Sequence, residues 1–396
     1  METIYLDNNA TTAVDPEVIA AMEPYLKKLY GNPSSIHSFG GQVGVDLRKA
    51  REQVAGLLGC GPDEIIFTSS GTEGDNTAIR SALEAFPDKR HIITSRVEHP
   101  AVYSLCKYLE KHKGYQVTYV GVDEQGRIDP GEIESGIRKD TAVISIMWGN
   151  NETGTIFPVA EIGDLAREYG ILFHTDGVQT VGKIPTSLAD MPVDMLTISG
   201  HKLHGPKGVG ALYVRRGIPF RPFILGGHQE NGRRAGTENT EGIIGLGKAC
   251  ELAGKHMEQE NTRVRQLRDK LEAGFLERIP DSRLNGDPKN RLPNTTNISF
   301  RYVEGESVLL HLDQLGICAS SGSACTSGSL EPSHVLRAMG VPFTYAHGSI
   351  RFSLSRYTSE REIDFVLESM PKIIENLRRI SPFSEGTDES AQACLC

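Results

Sequence analysis

Residues 141–176 read TAVISIMWGNNETGTIFPVAEIGDLAREYGILFHTD, and the change of period inside them decides the fold. Residues 141–147 form a nearly unbroken apolar run rich in β-branched side chains, the pattern of a strand buried on both faces. Pro158 suits the first turn of a helix. Ile162, Leu165, Ala166 and Tyr169 then recur on one helical face, and Gly170 ends it. Residues 171–174 return to strand. A strand, a crossover helix and a second strand make a βαβ unit, whose strands lie parallel in one sheet.

The same alternation extends in both directions. Residues 64–68 (EIIFT) read as a strand, and Ala78, Ile79, Ala82, Leu83 and Phe86 follow at helical spacing. Residues 91–95 (HIITS) are another strand, with a helix opening at Pro100. Residues 195–198 and 209–214 add two more strands. This predicts an α/β domain with a mostly parallel sheet flanked by helices. After about residue 255 the pattern changes. Residues 258–278 read as a charged amphipathic helix with no strand immediately after it. Helices are expected over 307–314, 333–339 and 360–374, with strands over 296–300 and 349–353. The expected organisation is a large α/β domain over 15–255 and a smaller α+β domain built from 1–14 and 256–383. The polar, acidic tail over 384–396 is expected to be disordered.

Bulk composition narrows the function. The chain has 396 residues, 38% hydrophobic and 23% charged, with a formal net charge of −9. A general nucleic-acid binder would carry a basic surplus. No apolar run reaches the length of a membrane span. The start, METIYLDNNATT, lacks the basic and apolar regions of a signal peptide, so a cytoplasmic location is expected. The seven cysteines are odd in number and scattered, which argues against a disulfide framework. Neither CxxC nor HExxH occurs, so nothing supports a zinc site.

In an open parallel sheet, ligands bind beyond the carboxyl ends of the strands. Polar residues collect at those positions. Ser69, Ser70, Gly71 and Thr72 follow the first strand and precede a helix, where free N–H groups and the helix dipole hold anions. His99, Asn151, Asp176 with Gln179, and Ser199 to Lys202 follow later strands. Singly these are an N-cap, a loop histidine, a helix cap and a solvated lysine. Together they suit pyridoxal 5'-phosphate. Lys202 would form the Schiff base and Asp176 would pair with the pyridinium nitrogen, keeping the ring an electron sink. Gly71 and Thr72 would cradle the phosphate, and His99 could stack on the ring and carry a proton.

SGHKLHGPKGVGALY (199–213), HTDGVQ (174–179), GNNETGT (149–155) and SSGSACTSGS (320–329) resemble the NifS-type cysteine desulfurases. These are class V, fold-type I pyridoxal-phosphate enzymes, which implies a large domain with a mostly parallel sheet of the seven-stranded type flanked by helices. The resemblance runs from LDNNATT (6–12) to IRFSLSRYT (350–358). GGHQENGRRAGTEN (226–239) is more similar to the nitrogen-fixation branch than to the housekeeping one. It implies Lys202 as the lysine bonded to the cofactor, and Asp176 and Gln179 as partners of the ring nitrogen and phenolic oxygen. Gly71, Thr72, Ser199 and His201 would contact the phosphate. Thr237 would contact the phosphate of the other subunit in a homodimer. Asn151, also beside the cofactor, and Arg351 would stand near the carboxylate of the substrate, L-cysteine. His99 would be a catalytic proton carrier. Cys325 would become a persulfide and pass sulfur to a NifU-like Fe–S scaffold, and it is also a candidate Fe–S ligand shared transiently with that scaffold.

Cys325 sits among serine, glycine and alanine, side chains too small to anchor a segment in a core. It reads either as an incidental surface cysteine or as a nucleophile on a segment with few packing constraints. Rival functions are a selenocysteine lyase or aminotransferase of the same class, or a non-catalytic sulfur-relay or scaffold protein.

Overall fold

The computed structural model describes residues 3–321 and 332–382. Cys325, Cys394, Cys396 and the tail over 384–396 lie outside the described residues. The strands in chain order are β1 Ile4–Tyr5, β2 Ile65–Thr68, β3 His91–Ser95, β4 Gln116–Val120, β5 Thr141–Ser145 and β6 Leu172–Asp176. They continue with β7 Met195–Ser199, β8 Gly210–Val214, β9 Ser282–Asn285, β10 Thr295–Phe300, β11 Ile317–Cys318 and β12 Ser349–Ser353.

Seven of them form one sheet in the order β2-β8-β7-β6-β5-β3-β4. The pairs β3/β4, β3/β5, β5/β6 and β6/β7 are parallel, while β8 runs antiparallel to both β2 and β7. The opening stretch folds as its periodicity predicts: β5 and β6 are adjacent, with Val143 opposite Leu172 and Ser145 opposite His174. Helix Val159–Glu168 connects them, its N-cap is Pro158, and Gly170 follows it at φ +62°. Strands β5, β6 and β7 are buried at every position, which explains the apolar run of β5 and the apolar residues that open β6 and β7.

Gly210 in β8 stands between Thr68 of β2 and Ser199 of β7. A Cβ there would lie 2.6 Å from Ile198 O and 3.0 Å from Ser70 C. Only glycine lets the turns after β2 and β7 approach each other this closely.

The second sheet is antiparallel, β12-β10-β9. Helices Arg265–Arg278 and Glu360–Arg379 pack with it around Phe275, Phe300 and Phe352, whose rings meet at 5.8 and 5.1 Å. The short strands β1 and β11 pair in parallel, which carries Leu6 into the same core. Val335, Leu336 and Met339 belong instead to the core beneath the large sheet. Replacing the fully buried Phe275 with Ala is expected to lower stability by about 3–5 kcal/mol, read from the denaturant midpoint.

One sequence expectation is corrected. The helix ending at Arg278 is followed closely by a strand, β9. Of its residues, SRLN, only Leu284 is apolar and only Asn285 is fully buried, so no apolar run marks it. The stretch before it is also not one regular helix: residues Glu260–Val264 form a π turn. Among the described residues no helix is long and apolar enough to cross a membrane.

Candidate active site

The carboxyl ends of β2, β3, β5, β6 and β7 open into a cavity of about 460 Å³. Gly71, Thr72, His99, Asn151, Asp176, Gln179, Ser199, His201, Lys202 and Arg351 all line it. Thr237 does not. It lines a separate cavity of about 120 Å³ with Ser69, Glu230 and Arg234.

Each side chain is placed by a local cause. Helix Gly71–Ala85 starts directly after β2, and the Ser70 hydroxyl caps it by accepting from Glu73 N at 3.2 Å. Ser70 O accepts from Gly74 N, so the N–H groups of Gly71 and Thr72 remain at the cavity wall. His99 caps helix Pro100–Lys113 by accepting from Ala101 N at its Nδ1, 3.2 Å away. The ring proton of the neutral imidazole is therefore on Nε2. Burial, then the nearby Lys202 cation, lowers its pKa to about 4, so it is uncharged at neutral pH.

Asp176 ends β6 and accepts from Val178 N at 2.9 Å. Burial raises its pKa to about 6, and Lys202 pulls the other way. Lys202 closes the short turn Gly200–Lys202 after β7. Its Nζ donates to the main-chain oxygens of Asn9 and, at 2.7 Å, of Ala10.

Arg351 comes from the second sheet. Along β12, Ile350 and Phe352 enter the second core, so the alternation of a strand turns Arg351 to the other face. Its guanidinium donates to Asn151 O at 3.0 Å and to Asp7 Oδ1 at 2.9 Å. Its Nε is buried with no hydrogen-bond partner among the described residues, a donor available to an anionic ligand.

Sequence reasoning missed several wall residues. Asn9 is the most connected. Its main-chain N donates to Ser353 Oγ at 2.9 Å and its side chain donates to Thr295 Oγ1 at 2.9 Å. Asp75 lies one turn into the helix that begins at Gly71, is 1% exposed, and leaves Oδ1 without a hydrogen bond. Burial, then Asp176, raises its pKa. Glu152 is buried against the Ser333 hydroxyl, and burial raises its pKa to about 7. Glu98, behind the wall beside His99, accepts from Ser95 Oγ at 2.6 Å and from Met147 N at 3.1 Å, which ties the loop after β3 to the end of β5. A helix position four residues after Gly71 was the available signal for Asp75. A lone acidic residue in a loop gave none for Glu152.

The residues fit pyridoxal 5'-phosphate. An aldehyde needs an amine, which Lys202 supplies. A pyridinium nitrogen in a buried site needs a carboxylate, which Asp176 supplies. A phosphate needs N–H donors at a helix start, which Gly71 and Thr72 supply, with Ser199 and His201 beside them.

Comparison with known proteins agrees. The family described as aminotransferase class-V matches residues 4–366. A protein of Trichormus azollae named cysteine desulfurase is 63% identical over 383 residues, covering 97% of this chain and 96% of that protein. Cysteine desulfurase NifS of Azotobacter vinelandii is 59% identical over 387 residues, covering 98% of this chain and 96% of that one. A solved structure titled NifS-like protein superposes with a TM-score of 0.89 at 41% identity, over 95% of this chain and 100% of the other. The chain therefore belongs to the class-V aminotransferases, a pyridoxal-phosphate family, and within them to the NifS-type cysteine desulfurases.

Proposed function

We propose that the protein converts L-cysteine to L-alanine and keeps the sulfur as a persulfide on Cys325. The observation that carries this reading is the meeting of Lys202, Asp176, a helix N-terminus and Arg351 at one cavity. Pyridoxal phosphate supplies an electron sink for the charge left at the substrate's Cα when its proton departs. Arg351 and Asn151 hold the substrate carboxylate. Lys202 Nζ would hold the cofactor and, when free, would be the base beside Cα. Asp176 keeps negative charge against the ring nitrogen. His99, neutral with its proton on Nε2, offers an N–H at the cavity wall.

In the sulfur step the Cys325 thiolate bonds to the substrate sulfur while the Cβ–S bond breaks, leaving its electron pair on carbon. The proton given up in forming the thiolate ends on alanine. Carbon is reduced, sulfur is oxidised, and no external redox partner is needed. The described residues flanking the Cys325 segment stand at the cavity: Ser320 N donates to Arg351 O at 3.2 Å, and Pro332 and Ser333 line the wall.

In this reading the portion over 15–255 binds the cofactor, and the portion over 1–14 with 256–383 brings Arg351 and the thiol. Two chains act as a dimer in which Thr237 serves the partner's phosphate site. The exposed Leu26, Tyr30, Ile36 and Leu225 supply apolar surface for that contact. The sulfur goes to an Fe–S scaffold of the NifU kind, in nitrogenase-type cluster assembly, and Cys325 could ligate iron during the handover. The enzyme acts in the cytoplasm.

The test is to give the purified protein L-cysteine and follow alanine by chromatography and the chain by mass spectrometry. Equal amounts of alanine and of sulfur, with one added sulfur atom on Cys325, are expected. Pyruvate or a keto acid with an unmodified Cys325 would favour an aminotransferase instead. No cofactor and no turnover would leave only a relay or scaffold role.

A further inference from the structure

Behind Lys202, outside the residues that line the active-site cavity, stands a second lysine that the proposed reaction does not use. Lys183 is 6% exposed, and its Nζ donates to Gln179 Oε1 at 3.1 Å and to Asn9 Oδ1 at 3.3 Å. The turn that delivers it is specific. Gly182 precedes it at φ +78°, and a Cβ there would lie 2.5 Å from Leu203. Glu260 of the π turn supplies a buried countercharge, and burial, then Lys202, holds the Lys183 pKa down at about 7. Between Lys183, Lys202, His204, Glu260 and Arg356 lies a cavity of about 20 Å³, room for one water.

We propose that Lys183 is a positioning residue for the cofactor: it locks the Gln179 amide so that only its N–H side can face the phenolic oxygen of pyridoxal. The proposal rests on the pyridoxal-phosphate reading of the cavity and adds a residue to it. In its ammonium form Lys183 only donates, so the Gln179 atom facing it is the carbonyl oxygen, an orientation that the Gln179 Nε2 bond to the main-chain oxygen of Asn9 shares. The Nε2 group is left for the cavity. In this structure it donates to Asn9 O at 3.0 Å, the same oxygen that accepts from Lys202 Nζ. The amide therefore lies beside the Lys202 amine. On pyridoxal the hydroxyl is ortho to the aldehyde, so an aldehyde bonded at Lys202 brings that oxygen to the Gln179 amide. An N–H there favours the ionised oxygen, whereas a flipped amide would set a carbonyl against it.

The experiment uses the full-length holoenzyme and two readouts that do not depend on turnover. These are the dissociation constant of pyridoxal phosphate and the ratio of the cofactor's long-wavelength to short-wavelength absorption. In Lys183→Met the amide loses the ammonium that holds its carbonyl oxygen and keeps only the bond to Asn9 O against a flip. The ratio is expected to fall about tenfold and the cofactor to bind about tenfold more weakly, the scale of one charged hydrogen bond. In a Gln179→Leu background the same Lys183→Met change is expected to move the ratio less than about twofold, because the two residues act as one unit. Lys183→Ala, whose cavity admits water, gives the same comparison if the Met variant does not fold. An unchanged ratio and affinity with only a lower melting temperature would overturn the proposal, since a lysine that merely satisfies the interior would do that. A wild-type protein that never shows cofactor absorption would overturn the cofactor reading itself.

Discussion

Lys202→Ala is expected to lose turnover by about 10⁴-fold, because one side chain is asked to be both the attachment point and the base at Cα. General base catalysis alone accounts for about 10²–10⁴. Borohydride should fix the cofactor to the wild-type chain, adding its mass to the peptide that contains Lys202, and should leave the variant unlabelled. Small amines added to the variant should restore part of the Cα proton exchange, since a free amine can take the vacated place. There is also a structural cost. Lys202 Nζ anchors the main-chain oxygens of Asn9 and Ala10, and each charged hydrogen bond contributes about 1.5–3 kcal/mol. A melting temperature that falls while borohydride labelling persists at another lysine would show that Lys202 has only this anchoring role.

Cys325→Ala should separate the reaction into its halves. Lys202, Asp176 and Arg351 are untouched, so solvent deuterium should still enter the Cα of cysteine. Net alanine formation should fall by about 10³-fold or more, because the thiolate is the only sulfur acceptor proposed and a nucleophile's removal costs on this scale. Chain-bound sulfur should vanish. Sulfide release at the wild-type rate from this variant would refute the proposed sulfur step and favour elimination without a protein nucleophile.

How much of this was written in the sequence depends on burial. Strands β2, β3, β5, β6 and β7 are buried on both faces, so each carries apolar residues in a short stretch, and each was read as a strand. The edge strand β4 is half exposed and its residues, QVTYV, gave no comparable run. Helix Ser38–Leu58 was not read, although it buries Val43, Leu47, Val54 and Leu58; three glycines in its first two turns blur its period. At the site, Lys202, Asp176 and His99 were legible because strand-end position and chemistry pointed the same way. Lys183 and Glu152 were not, since a charged residue in a loop ordinarily means a solvated one, and nothing local reports that Gln179 or Ser333 waits for it.

The Asn9 junction carries a consequence for synthesis. Its main-chain N–H is held by Ser353, 344 residues later. At about 5–20 residues per second, a ribosome needs roughly 15–70 s between making these two positions. Until then the backing of the Lys202 amine is incomplete, because Asn9 lacks its main-chain anchor on β12, however well the central sheet has formed. Vitamin capture therefore belongs to the released polypeptide, and a stalled one cut short before β12 should leave the ribosome colourless.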